Sequence, residues 1–477
     1  MLMKGTARKQ IDSERATMKN PFISITNAEK EQMLKEIGVS GVEELFNSIP
    51  EQIRQHAEKV LSKEHPFSHP LTEQQVIEEM KRLAGLNEKA SRLVCFAGAG
   101  AYSHFIPSAI DYILSRSEFI TGYTPYQSEI SQGTLQAIFE FQTYIAMLTG
   151  MDVANASMYD GASACAESVL MAMRITGRKR ILISQALHPH YREVIKAYTQ
   201  GMNVDINLIP YESDTGKTSV TALQQSSGED IACVVVGYPN FFGVIEPIDK
   251  LFSIASEKKA MAIAVVTEAM SMGLLEPPGK LGADITAMEC QSLGIPLSYG
   301  GPYIGVIATK KAFVRQLPGR LVGQTVDKEG NRAYTLTLST REQHIRREKA
   351  TSNICSNEGL LAIAVAIYLG LTGKTGFMET ARINHENAVY LHNMLEQSNI
   401  AEFPFNGPFF NEFVARIKNL HNVYPKLLRD GFLPGVMLDR YYNDMHDCLL
   451  INVTETNSRE EMDRFVQKIN PKNAFAK

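Results

Sequence analysis

The stretch IACVVVGYP (231–239), IDKLFSIASEKKA (248–260), MAIAVVTEAM (261–270) and ADITAMECQ (283–291) decides the fold. Its three short apolar runs lack the polar alternation of a strand with one wet face, so both of their faces must be covered. The segment between the first two runs has apolar residues at helical spacing and supplies such a cover. Parallel strands joined by helices follow, which makes this part of the chain α/β. Toward the N-terminus the same alternation continues through RILIS (180–184), HPHYREVIKAYTQGM (188–202) and DINLIPY (205–211), and toward the C-terminus through PYIGVIATKKAFVRQL (302–317).

Further out the texture changes. Before the sheet lie two helical segments, 130–150 and 160–177, and the glycine-rich loops FAGAGAYSHFIPSAIDYI (96–113) and FITGYTPYQSEISQGT (119–134). Residues 23–90 form an N-terminal helical arm, its segments opened by cap-like Thr26, Ser40 and Thr72 and interrupted by Pro50, Pro66 and Pro70. Residues 1–22 read as a flexible extension, 91–350 as the large domain and 351–477 as a smaller αβ domain. A polar connection near 320–352 contains at least one hairpin. The small domain combines long helices over 359–395 with the strand-like FFNEFVARI (409–417), VMLDRYY (436–442) and CLLINVT (448–454).

A chain of 477 residues is long enough for about two to four cooperative units. A formal charge of −4 leaves no excess of cations for neutralising phosphates, which excludes nucleic acid as the first expectation. The six cysteines stand singly, mostly inside apolar runs, and are expected as buried free thiols rather than metal ligands or disulfides. Residues 1–20 lack the apolar core of a secretory signal, and no apolar stretch reads as long enough to span a bilayer, so the expected compartment is the cytoplasm.

Ligands of open α/β sheets sit at the carboxyl ends of the strands. The residues there match, in part, the needs of a pyridoxal-phosphate (PLP) enzyme of fold type I, the aminotransferase-like class. Such an enzyme needs a helix N-terminus for the phosphate, an aromatic or His over the ring, an acid at the pyridine nitrogen and a lysine for the Schiff base. The turn at Asp160, Gly161, Ala162 and Ser163 offers amides and a hydroxyl to an anion, although a capped helix with small residues packed on the sheet reads equally well. His188 follows RILIS at the ring position, or is a satisfied loop residue. Glu268 ends MAIAVVTEAM where the acid is expected, one methylene longer than the usual aspartate. The lysine is missing: the chain has Cys290, Gln291 and Ser292 where the amine belongs, and the nearest candidates are Lys280, Lys310 and Lys311. Without it no Schiff base forms at this position.

The strings GAGAYSHFIPSAI (98–110), TGYTPYQSEISQGTLQAIFEFQTYIAMLTGMDVANASMYDGASACAES (121–168), GGPYIGVIA (300–308) and STREQHIRREKATSNICSNEGL (339–360) carry a resemblance. Over most of the chain from about residue 23 it resembles the glycine cleavage system P-protein family, in its split, N-terminal-half form. The resemblance implies a partner subunit that carries PLP and the Schiff-base lysine, and an α2β2 assembly. It also implies release of CO2 from glycine and passage of the aminomethyl group to the lipoyl arm of H-protein.

Within that division of labour, Tyr102, Ser103 and His104, and Tyr123, Thr124, Tyr126 and Gln127, are polar and aromatic groups on loops, expected to line the partner's PLP site across an interface. The alternative is that the tyrosines only cement the interface. Gly161, Ala162, Ser163, His188, Glu268 and Ser292 are then a degenerate cofactor pocket. The charge run from Arg341 to Lys349 reads either as a solvated face or as a docking or ordering segment, by which an acidic H-protein would be steered.

Overall fold

Thr26 and Thr72 start helices for the reason their sequence context gives. The computed structural model describes residues 25–62, 71–88, 92–227, 230–354 and 356–469. In α1 (Asn27–Ile37) the Glu29 amide donates to Thr26 Oγ1 at 3.3 Å while the Thr26 amide donates to the Glu29 carboxylate at 2.7 Å. Thr72 and Gln75 repeat this box at α3 (Glu73–Ala84), and α2 (Glu51–Ser62) lies between. The box satisfies amides that a helix start leaves open. Ser40 caps no helix: it bonds Glu44, and Val42–Phe46 makes only a tight turn of 3-10 helix after Gly41. No residue of α1 or α3 is buried, and Met33, Ile37, Ile53, Val76 and Met80 are exposed, so these helices have no core of their own. This arm is one compact unit, ending at Glu88, and the rest of the chain is a second. Pro66 and Pro70 lie outside the described residues.

In the second unit β1 (Val153–Ala154), β2 (Arg180–Ser184), β3 (Asp205–Ile209), β4 (Ile231–Gly237), β5 (Met261–Val266), β6 (Ile285–Glu289) and β7 (Gly305–Thr309) form one sheet in the order β1-β7-β6-β5-β4-β2-β3. All neighbours are parallel except β7, which runs against both β6 and β1. Every residue of β4, β5, β6 and β7 is buried. The alternation of side chains explains the continuous apolar runs: Val234, Val236, Ala262 and Ala264 enter one core, and Cys233, Val235, Ile263 and Val265 enter the core on the other face. Helix α4 (Gln132–Thr149) contributes Phe141 and Ile145 to the first core. Helix α5 (Gly161–Thr176), with α6 (Pro189–Thr199), builds the second, and α7 (Ile248–Glu257) covers the first again.

The polar connection contains the expected hairpin, β8 (Val322–Val326) with β9 (Arg332–Leu336). The C-terminal part builds a second sheet from β10 (Ala401–Glu402), β11 (Glu412–Ile417), β12 (Val436–Met437) and β13 (Cys448–Asn452), in the order β10-β11-β13-β12. VMLDRYY gives only the two-residue β12 before the chain turns. Among the described residues one helix, α8 (Gly359–Gln397), is long and apolar enough to cross a bilayer by length and composition alone. Its backbone leaves helical geometry at Gly373 (φ 56°), and Ala362, Val365, Leu369 and Phe377 are buried in the first core. Cys165, Cys233, Cys290 and Cys448 are buried free thiols, Cys95 is half-buried, and Cys355 lies outside the described residues.

Candidate functional site

Parallel strands send β4, β5 and β6 to a common carboxyl edge, and the reversed β7 begins there. Gly161, His188, Glu268 and residues 290–292 therefore meet at this edge, as the order of elements requires. What fills the space between them is not visible in the sequence.

At the start of α5, Asp160 caps the helix: the Ser163 amide donates to Asp160 Oδ1 at 2.7 Å, and Ser163 Oγ is engaged with the Asp160 backbone. Of the two readings of this turn, anion cradle or capped helix, the geometry matches the cap, in which the Ser163 hydroxyl is engaged. Ala162 is half-buried beside it. The Gly161 amide donates at 2.8 Å to Glu289, the last residue of β6. The other oxygen of Glu289 accepts from the amides of Gln291 at 3.0 Å and Ile304 at 3.2 Å. Burial pushes the Glu289 carboxyl up to about 8 against the lowering effect of these amides. A carboxyl group of the chain itself thus sits on the helix terminus.

His188 is buried and spent as well. Its Nε2 contacts the Ala99 carbonyl at 2.8 Å and its Nδ1 accepts from the His190 amide at 3.2 Å. Burial drives its pKa down to about 4, so the ring is neutral and donates through Nε2. The loop 98–105 lies against it and continues across the edge. There the Tyr102 amide donates to Gln291 Oε1 at 2.9 Å, and Gln291 Nε2 donates back to the Tyr102 carbonyl at 3.1 Å. Ser292 is buried next to this clamp.

Glu268 faces His104, whose Nε2 lies 3.1 Å from Glu268 Oε2 and whose Nδ1 lies 2.8 Å from Glu455 Oε2. Burial works against charge on this ring, but the two carboxylates overcome it and raise the pKa to about 10. His104 is therefore an imidazolium at neutral pH, held in an enclosed triad. Tyr102 Oη donates to Glu412 Oε2 at 2.8 Å, and the Ala99 amide donates to Glu412 Oε1 at 2.7 Å.

The loop residues divide into two groups. Tyr102 is 1% exposed and the His104 side chain 2%, so within this chain both are buried rather than presented on the loop surface. Both are turned into their own chain because Glu412, Glu268 and Glu455 require partners. Half-buried Ser103 presents its carbonyl to Thr454 Oγ1 at 2.7 Å. Tyr123 and Tyr126, by contrast, are 81% and 51% exposed, Gln127 is exposed and Thr124 half-buried. Tyr123 bonds Ser356, and Arg320 donates to Tyr126 Oη at 2.8 Å and to Asn357 Oδ1 at 2.9 Å. In the charge run Arg341 and Glu342 are buried, with Arg341 donating to the Leu317 and Gly319 carbonyls, so this end orders the connection rather than forming a solvated face. Residues 346–349 are exposed.

The lysines nearest in sequence to the missing amine cannot replace it. Lys280 precedes β6, Lys310 and Lys311 follow the reversed β7, and all three fall at the opposite edge, about 15 Å away along a five-residue strand. There Lys310 Nζ pairs with Asp284 at 2.6 Å and Lys280 Nζ with Glu276 at 3.0 Å. Glu289, Glu412 and Glu455 were missed in the sequence, and Gln291 was singled out only as lacking an amine. The one available signal was an acid at the end of the apolar run ITAME and another opening the run EFVARI.

Sheet order, the reversed strand and the helix terminus at the carboxyl edge define a chain of the fold-type I PLP-enzyme class. A solved structure described as glycine decarboxylase (P-protein) of the glycine cleavage system, in inhibitor-bound form, is 41% identical with a TM-score of 0.82, and covers 95% of this chain and 99% of that one. A sphingosine-1-phosphate lyase from Burkholderia pseudomallei K96243, 16% identical with a TM-score of 0.63 over 84% of this chain and 90% of that chain, shares the fold alone. The family described as glycine cleavage system P-protein matches residues 20–469. The probable glycine dehydrogenase (decarboxylating) subunit 1 of Geobacillus kaustophilus is 47% identical, covering 95% of this chain and 99% of its own. That of Moorella thermoacetica is 48% identical over 93% and 98%. The chain belongs to the glycine cleavage system P-protein family.

Proposed function

We propose that this chain is subunit 1 of a two-subunit glycine dehydrogenase (decarboxylating), acting in the cytoplasm as the half that holds no cofactor. The observation that carries this reading is the carboxyl end of β6, where Cys290, Gln291 and Ser292 provide no amine and Glu289 covers the helix terminus. PLP held by a second subunit would supply the electron sink for loss of CO2 from glycine, and the aminomethyl group would pass to the lipoyl group of H-protein. A PLP-bearing partner accounts for a chain that folds like an enzyme and lacks its amine, and the pairing is proposed as α2β2.

This chain's own contribution is positional. Tyr123, Thr124, Tyr126 and Gln127 form a polar, aromatic rim suited to excluding water and orienting substrate across an interface. Buried Arg320 fixes the rim by donating to Tyr126 Oη and Asn357. The experiment is release of labelled CO2 from glycine by the chain, its PLP-bearing partner and lipoylated H-protein, each omitted in turn. Release that requires both subunits supports the reading. Release by this chain alone, with a borohydride-trappable PLP adduct on it, overturns it, and full release without this chain leaves it only a scaffold.

A further inference from the structure

The residues at the carboxyl edge do not fit PLP, and the misfit is specific. We infer that the ancestral cofactor pocket is occupied by the chain's own side chains, with the Glu289 carboxyl group in the phosphate's seat and the His104 ring as the partner of Glu268. The pocket is therefore closed to PLP and also to free phosphate.

The arrangement follows the cofactor's parts. A phosphate at a helix N-terminus accepts backbone amides in the field of the helix dipole. The Glu289 carboxyl group, almost wholly buried, accepts from the Gly161 amide of the 16-residue α5 and from two loop amides, those of Gln291 and Ile304. Space is closed as well as charge satisfied. A methyl group added at Gly161 would stand 2.3 Å from Tyr191 Oη and 2.8 Å from Glu289 Cβ. An acid at the pyridine position holds a protonated nitrogen, and here Glu268 has a protonated nitrogen 3.1 Å away, that of His104. Between the two, the backbone of residues 99–102 rests on His188 and is clamped by Gln291, in the space a ring would take. A bound anion would find the Gly161, Gln291 and Ile304 amides already taken by Glu289 and the space beside Gly161 already filled.

The test needs only the full-length chain and inorganic phosphate, so it stands apart from the assignment to glycine decarboxylation. Phosphate is titrated by calorimetry into wild type, Glu289→Ser and Glu289→Gln, and thermal unfolding is followed with and without it. Wild type is expected to show no saturable binding and no phosphate-dependent rise in Tm. Glu289→Ser, with the seat emptied, is expected to gain one site and a Tm that rises with phosphate concentration, as binding to the native state requires. Glu289→Gln, which keeps the seat filled, is expected to remain blind to phosphate. A folded Glu289→Ser that ignores phosphate overturns the inference. So does a crystal of wild type grown with phosphate or PLP that carries the anion on the Gly161 amide with Glu289 displaced, a result that does not depend on either variant folding.

Discussion

Glu268 and His104 meet at 3.1 Å across a pocket where neither is open to solvent, and the far nitrogen of the same ring meets Glu455 at 2.8 Å. One imidazolium between two carboxylates, with Asn384 donating to Glu455 and Asn411 to Glu268, ties the loop 98–105 to the ends of β5 and β13. The pair that an enzyme of this fold would make with a cofactor is here a link between segments of one chain.

That link makes stability depend on pH with a definite sign. The folded-state pKa of His104, about 10, lies above the usual value, so the native state keeps a proton that the unfolded chain releases. The contribution is complete below about pH 6.5 and is lost as pH rises toward 10. Between pH 8 and 10 the wild-type Tm should fall more steeply than that of His104→Gln, with the difference in loss on the order of 5 °C. Parallel curves for the two proteins would refute a charged His104.

Tyr102→Phe separates an interior role from a catalytic one. The hydroxyl lost is the donor to Glu412 Oε2, whose carboxyl is already pushed up to about 7 by burial. An acceptor left without a donor in a dry site costs about 1–3 kcal/mol. A lower urea midpoint with unchanged turnover per folded complex is expected. The reverse pattern, intact stability with lost turnover, would return Tyr102 to the partner's active site.

Gly161→Ala probes how tightly the seat is closed. The new methyl meets Tyr191 and Glu289 well inside contact distance, and α5 cannot retreat because its small residues pack against the sheet. Overpacking of this kind costs roughly 1–3 kcal/mol. The urea midpoint should drop with the slope of the transition unchanged. A neutral substitution would mean that the cradle is loose.

The sheet was legible in the sequence because β4, β5 and β6 are buried on both faces, and that burial writes itself as uninterrupted apolar runs. The missing amine at 290–292 was legible for the same reason: the strand order fixes which residues follow β6. The contents of the pocket were not. Glu289, Glu412 and Glu455 are joined to Gly161, Tyr102 and His104 over 128 to 351 residues of sequence, and no periodicity encodes pairings of that range. A polar loop such as GAGAYSHF reads as exposed until the carboxylates that draw it inward are known. Two of the expected caps, Thr26 and Thr72, formed because their partners lie three residues away.

The rim of Tyr123, Thr124, Tyr126 and Gln127 differs from Tyr102 and His104 in facing solvent, and its prediction concerns turnover rather than stability. Exposed Tyr123, Tyr126 and Ile130 place aromatic and apolar surface close together on one loop, the composition of a surface that meets another protein. Tyr126 is held there by Arg320, which donates to its hydroxyl and stacks 5.2 Å from its ring. Tyr126→Phe removes the hydroxyl but keeps the ring, so association with the partner should persist. Release of labelled CO2 should fall on the order of tenfold, equivalent to about 1.4 kcal/mol of barrier. Arg320→Lys, which cannot reach Tyr126 and Asn357 together with one ammonium, should lower release in the same direction. Turnover that stays at the wild-type level when all four rim residues are replaced, in a complex shown to be assembled, would assign this surface to contact alone.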